Sequence, residues 1–215
     1  MKKDFPNIVI KNALSDKDIS EIFETVKNTS HKTFLDTLCY YSWHIKLPAH
    51  IENKFLEYAE GISGTKLKLL EYNFSRYEIV ENYHPLLFPH TDEAFSGPRV
   101  TLDYQVRSNI KWPIVVDNWK NKNEFLLQDN EILTFSGTHQ IHWRPKQNFN
   151  KDNFLEAIFL HFEPVDAESL SVDHINQMRE HGKLRWEEWK QTAGISSNSL
   201  NPDFDIYRYE RKQNG

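Results

Sequence analysis

The residues of this chain that invite chemistry are His90 and Asp92, in the stretch LLFPHTDEAF (86–95). On an extended strand, residues i and i+2 point to the same side. A histidine and an aspartate at this spacing can therefore grip one metal ion from one strand end. Two histidines and one carboxylate on a shared face are the usual holder of non-haem Fe(II), with open positions left for small ligands. The pair alone is weak evidence, because a strand end can carry both residues for solvation. A second histidine must come from elsewhere; those after Asp92 are His139, His142, His161, His174 and His181.

The run FSGTHQIHWRP (135–145) favours His142. It reads as a strand, so Arg144 shares the face of His142, about 7 Å further along. A guanidinium there can fork the far carboxylate of a dicarboxylate that chelates the metal. His139 falls on the opposite face of a regular strand and has Ile141 at i+2. His161, in IFLHFEP (158–164), reads as a core residue or a support beside the metal.

These side chains need a rigid frame. Residues 5–14 read as a strand, Ser15 as an N-cap and 16–28 as an amphipathic helix with Ile19, Ile22, Phe23 and Val26 on one face. Residues 38–46 read as a strand, and Pro48 opens a helix that Gly61 should stop. From residue 66 the period shortens to that of strands: one or two over 66–80, then several short ones separated by turn signals at Gly97–Pro98, 118–123, Asp129–Asn130 and Gly137. Many short strands at this spacing indicate a sandwich or barrel. After Pro164 the pattern is helical again, read as two helices broken near Gly182. The polar tail carries Phe204, Ile206, Tyr207 and Tyr209, expected on the surface. The expectation is one domain, 1–215, mainly β with flanking helices: support in 1–65, a β-core in 66–164, helices and tail in 165–215.

Composition excludes several classes. The 215 residues are 39% hydrophobic and 13% aromatic, which suits a packed core rather than a disordered chain. The net charge of -5 argues against nucleic acid as a partner. The single cysteine, Cys39, rules out an intrachain disulfide or cysteine-based zinc site and reads as a small buried side chain. The N-terminus has no apolar run long enough for a signal peptide, and no stretch suits a membrane span. The expected location is the cytoplasm.

Taken together, RY (76–77), HTDE (90–93), EILTFSG (131–137), HWR (142–144) and FLHF (159–162) resemble the 2-oxoglutarate- and Fe(II)-dependent oxygenases. The resemblance is nearest to a small prolyl-hydroxylase-like branch and covers about half of the chain, residues 72–164. It implies a double-stranded β-helix, a jelly-roll or cupin-like core. It also implies an iron triad on His90, Asp92 and His142, with 2-oxoglutarate and O2 as cosubstrates. The implied reaction is hydroxylation of a C–H bond in a small-molecule or amino-acid-type substrate, with release of succinate and CO2. Asp92 fills the position a halide would need, which favours hydroxylation or desaturation over halogenation.

Many relatives carry the basic 2-oxoglutarate anchor shortly after the last ligand, where this chain offers only Lys151. Arg144 is the preferred anchor and Lys151 the alternative. Tyr77 and Tyr104 match positions where relatives place a hydroxyl donor to the cosubstrate, though each also suits a core aromatic. Arg99 and Arg107 read as a solvated strand edge. Loops 81–98 and 108–123 are expected to shape the pocket, and the C-terminal helices could close over its mouth. A reading from another class is a non-oxidative cupin-like binding protein or isomerase that uses the same cavity.

Overall fold

The structure, a computed structural model, describes residues 5–30, 32–35, 40–80, 84–92 and 99–193. Cys39, the Gly97–Pro98 turn and the tail aromatics lie outside the described residues.

Along the chain the elements are β1 (Val9–Lys11), α1 (Asp16–Lys27), β2 (Lys32–Leu35), β3 (Tyr40–Trp43), α2 (Ala49–Ser63) and β4 (Leu67–Glu78). Then follow β5 (Leu87–His90), β6 (Val100–Ser108), β7 (Ile114–Asp117), β8 (Lys122–Phe125), β9 (Glu131–Phe135), β10 (Ile141–Arg144), β11 (Phe154–Pro164) and α3 (Val172–Ala193). The large sheet has the order β1-β9-β6-β11-β4-β3-β2 and the small sheet the order β5-β10-β7-β8. From β4 to β11 the chain passes back and forth between the two sheets, and all pairings are antiparallel. This is the double-stranded β-helix.

Period-two alternation along β6 decides what each face meets. Leu102 and Tyr104 pack outward with Ile22 of α1 and with Ile51 and Phe55 of α2. Thr101 and Asp103 point into the barrel, towards Asp92 and Arg144. The helix-facing layer, completed by Phe74, Ile158, Leu160 and Phe162, is nearly water-free. At about 1.5–3 kcal/mol for each large apolar side chain buried, it is what holds the large sheet flat against its helices. Ser15 caps α1 with a capping box to Asp18, as its position suggested.

Four local expectations are corrected. The segment 5–14 forms only the short β1, which pairs with β9. Gly61 does not stop α2; the helix runs on to Ser63 and ends at Gly64, whose φ of 66° is the left-handed conformation a C-cap uses. Residues 32–35 form a strand that pairs with β3, which the sequence reading passed over. The C-terminal segment is one helix, continuous through a buried Gly182.

A mid-helix glycine costs roughly 1 kcal/mol, which contacts on either side offset here. Met178, Trp186 and Trp189 pack on Phe88, Val115, Ile141 and Trp143, on the outer face of the small sheet. Asp117 at the end of β7 accepts hydrogen bonds from His181 (2.8 Å) and from Arg185. Trp119 stacks on His181 with ring planes 5° apart. No helix among the described residues is long and apolar enough to cross a membrane.

Candidate metal centre

β5 and β10 are neighbours in the small sheet, and their pairing sets His90 directly opposite His142. The next pair is Leu87 with Arg144, so three steps on β5 match two on β10. The extra residue is a β-bulge at Phe88–Pro89, where proline has no N–H to withhold from the ladder. The bulge turns Phe88 outward onto α3 and brings both Leu87 and His90 to the inner side. The two imidazoles lie 4.2 Å apart, centroid to centroid.

Each histidine is fixed through Nδ1. His90 Nδ1 donates to the Phe88 carbonyl at 2.7 Å, and His142 Nδ1 to the Gln140 carbonyl at 3.2 Å. A carbonyl only accepts, so both rings carry their proton on Nδ1 and turn an Nε2 lone pair into the site. Burial, helped by the neighbouring His142, pushes His90 down to about 4, which keeps that lone pair free.

Asp92 follows β5 directly, and its amide N–H donates to the Gly137 carbonyl at 2.8 Å. Its two oxygens have separate tasks. Oδ1 faces His142 Nε2 at 3.5 Å. Oδ2 accepts from the Thr101 hydroxyl and lies 3.3 Å from His161 Nδ1. Burial opposes ionisation, yet His161 and His142 outweigh it and hold the carboxyl well below its usual range. His161 is raised in return: burial disfavours its charge, but Asp92 beside it prevails. Ligand atoms of His90, Asp92 and His142 all lie within 4.8 Å of one another. Two imidazole nitrogens and one carboxylate oxygen, converging and oriented by their outer partners, fit the donor set for Fe(II).

Arg144 lies deeper in the barrel on the face of His142, its side chain wholly buried. Nη2 donates to Asp103 Oδ2 at 2.9 Å, Nη1 donates to the Trp112 carbonyl, and the guanidinium lies over the Trp112 ring. Tyr77 is buried on this side of β4, packed edge-on to Trp112 with centroids 5.2 Å apart. Burial raises its phenol well above the usual value, so it remains a donor.

Two assignments do not hold. Tyr104 faces the other side of the large sheet: it packs on Phe55, and its hydroxyl donates to Asn130 Oδ1 at 3.1 Å. It sits an odd number of residues from Thr101 on the same strand, so alternation sends it to the helices. Lys151 is exposed in the turn before β11, away from the barrel interior.

Other residues take places the sequence only partly suggested. His139 lies in the turn before β10 rather than on the strand; its Nδ1 is 2.9 Å from the Thr138 hydroxyl. Arg99 is buried, not a solvated edge, whereas Arg107 is partly exposed and pairs with Glu156. Sequence reasoning missed Thr101, Asp103 and Gly137. For the first two a signal existed: VTLDYQV sets polar Thr101, Asp103 and Gln105 at alternate positions of an otherwise apolar strand.

No protein-family model matches the chain, and no curated protein does either. Similar solved structures share the fold at low identity. The non-haem α-ketoglutarate-dependent carbocyclase SnoK of nogalamycin biosynthesis is 10% identical with a TM-score of 0.59, covering 80% of this chain and 85% of its own. HygX from Streptomyces hygroscopicus, solved with nickel, 2-oxoglutarate and hygromycin B, is 9% identical with a TM-score of 0.58, covering 78% and 88%. A prolyl hydroxylase from Trichoplax adhaerens, solved with a hypoxia-inducible-factor peptide, is 12% identical with a TM-score of 0.55, covering 75% and 84%.

Proposed function

We propose that this protein is a non-haem Fe(II)- and 2-oxoglutarate-dependent oxygenase that hydroxylates a C–H bond of a small-molecule or amino-acid-type substrate. The observation that carries the reading is the convergence of His90 Nε2, Asp92 Oδ1 and His142 Nε2, each aimed by a hydrogen-bonded partner on its far side. That this fold is shared with enzymes solved with 2-oxoglutarate supports it.

Fe(II) with a 2-oxo acid and O2 supplies an oxidant able to take hydrogen from an unactivated C–H bond, while the 2-oxo acid is converted to succinate and CO2. The chain's own groups do the rest. His90, Asp92 and His142 would hold the metal from one face and leave the opposite face open. Thr101 and His161 keep one carboxylate oxygen of Asp92 occupied, so that only Oδ1 is presented. Arg144 offers a cation in the dry interior for the far carboxylate of the 2-oxo acid, and Tyr77 is the nearby phenol among the candidate donors. The aromatic walls, Trp112, Phe149 and Phe159, exclude water from this end.

The test is direct. Purified protein with Fe(II), 2-oxoglutarate and O2 should form succinate and CO2 slowly alone, and faster with a substrate from a metabolite and amino-acid panel. Product mass separates outcomes: a gain of one oxygen for hydroxylation, a loss of two hydrogens for desaturation or ring closure. Metal binding with no 2-oxoglutarate binding or turnover would favour the cupin-like binding protein or isomerase.

A further inference from the structure

The Arg144–Asp103 pair has a feature that a plain carboxylate anchor would lack. Both side chains are fully buried. The Nε–H of Arg144 and Oδ1 of Asp103 have no hydrogen-bond partner among the described residues. A buried donor and a buried acceptor left open on one ion pair are costly unless something completes them. A carboxylate that accepted from the Nε–H would share one guanidinium with Asp103.

Two carboxylates against a single guanidinium leave one uncompensated negative charge in a dry site. Adjacent carboxyl groups relieve this by sharing a proton. We propose that Asp103 is a positioning and specificity-determining residue for the cosubstrate: it aims Arg144 and must share one proton with the far carboxylate that Arg144 receives. This rests on the oxygenase reading above. The consequence is that a 2-oxo diacid binds with a proton that a 2-oxo monoacid of equal length does not need.

Among the described residues, the surroundings of Asp103 leave no other group to supply this compensation. Arg144 and His142 face it from β10, Tyr77 from β4, and Asp92 from the segment after β5. Its cross-strand neighbours, Phe159 on β11 and Leu133 on β9, carry no charge. Arg144 is already engaged by Asp103 itself, and the Tyr77 phenol stays neutral. Burial chiefly, with Asp92 adding, raises Asp103 against the opposing pull of Arg144 and His142.

The experiment is calorimetric titration of Ni(II)-loaded protein with 2-oxoglutarate and with 2-oxopentanoate, between roughly pH 6.5 and 9. The two ligands chelate alike and differ only in the far carboxylate, so the ratio of their Kd values cancels metal and triad effects. In the wild type, the advantage of the diacid should shrink as pH rises, approaching about tenfold per pH unit at the upper end. In Asp103→Asn the amide still accepts from Nη2, so Arg144 stays aimed. There the advantage should be independent of pH and larger than wild type at pH 8. A pH-independent ratio in the wild type overturns the proposal, as does an equal slope in Asp103→Asn. The wild-type result stands alone if that variant fails to fold. If neither 2-oxo acid binds, the oxygenase reading fails first and takes this inference with it. If both bind and only the slope is missing, the oxygenase reading survives and Asp103 has no such role.

Discussion

Gly137 and Asp92 are packed so closely that a Cβ on Gly137 would stand 1.7 Å from Asp92 Oδ2 and 2.4 Å from Thr101 Oγ1. The turn after β9 thus presses its bare backbone against the candidate metal ligand, and Gly137 also accepts the Asp92 N–H. Any side chain here must displace the carboxylate or the turn. Gly137→Ala should weaken Ni(II) or Fe(II) binding by at least roughly tenfold, the usual scale for losing support around a ligand. The far-ultraviolet circular dichroism should persist. Unchanged metal affinity would show that Asp92 is not held where the structure has it, or is not a ligand.

His142→Ala should abolish metal binding at micromolar concentrations, whereas His139→Ala should retain it. The motivation is position: His142 faces His90 across the β5–β10 pair, while His139 Nδ1 is taken up by its own turn. Equilibrium dialysis against Ni(II) distinguishes them. Loss in His139→Ala with retention in His142→Ala would mean that the wrong histidine has been assigned.

The convergence of His90, Asp92 and His142 was readable because it depends on two local facts, the i, i+2 spacing of His90 and Asp92 and the HWR triplet on a strand. The same period-two reasoning placed Arg144 beside His142. Tyr104 shows the limit of reading position from resemblance: the alternation that turns Thr101 and Asp103 inward sends it to the opposite face, against Phe55. Gly182 shows another. Glycine lowers helix propensity, but the contacts α3 makes with the small sheet were not visible in one segment's pattern. The β5 bulge was equally hidden, since a strict alternation from Leu87 would have turned His90 outward.

Two buried histidines should pull the stability of the metal-free protein in opposite directions as pH changes. His90 is pushed down to about 4, so its contribution is complete above its unfolded value near 6.5 and is lost as pH falls towards 4. His161 is raised, so its contribution is complete below 6.5 and is lost as pH rises through its folded value. Urea unfolding from pH 4 to 9 should show both limbs. The acidic decline should amount to as much as about 3 kcal/mol from His90 and flatten in His90→Gln. The alkaline decline should flatten in His161→Gln. An acidic limb unchanged in His90→Gln would assign that proton linkage to other groups.

Arg144 and Lys151 can be separated by reading stability and binding together. Lys151 is exposed in a turn, and its replacement by Ala should change both by little, within about 0.5 kcal/mol for stability. Arg144→Ala leaves Asp103 buried without its cation, which should cost roughly 3–5 kcal/mol of stability. It should also raise the 2-oxoglutarate Kd at least roughly tenfold, about 1.4 kcal/mol. Arg144→Lys should recover part of each loss, because an ammonium keeps the charge but not the planar fork. The double variant Arg144→Met, Asp103→Leu removes both charges, so stability should return towards wild type, as for other buried pairs replaced by apolar groups. Selectivity for 2-oxoglutarate over 2-oxopentanoate should stay lost. That split, a restored fold without a restored preference for the diacid, is what a cosubstrate anchor predicts and a purely structural ion pair does not. If the double variant keeps the wild-type preference, Arg144 holds the barrel together and the far carboxylate is bound elsewhere.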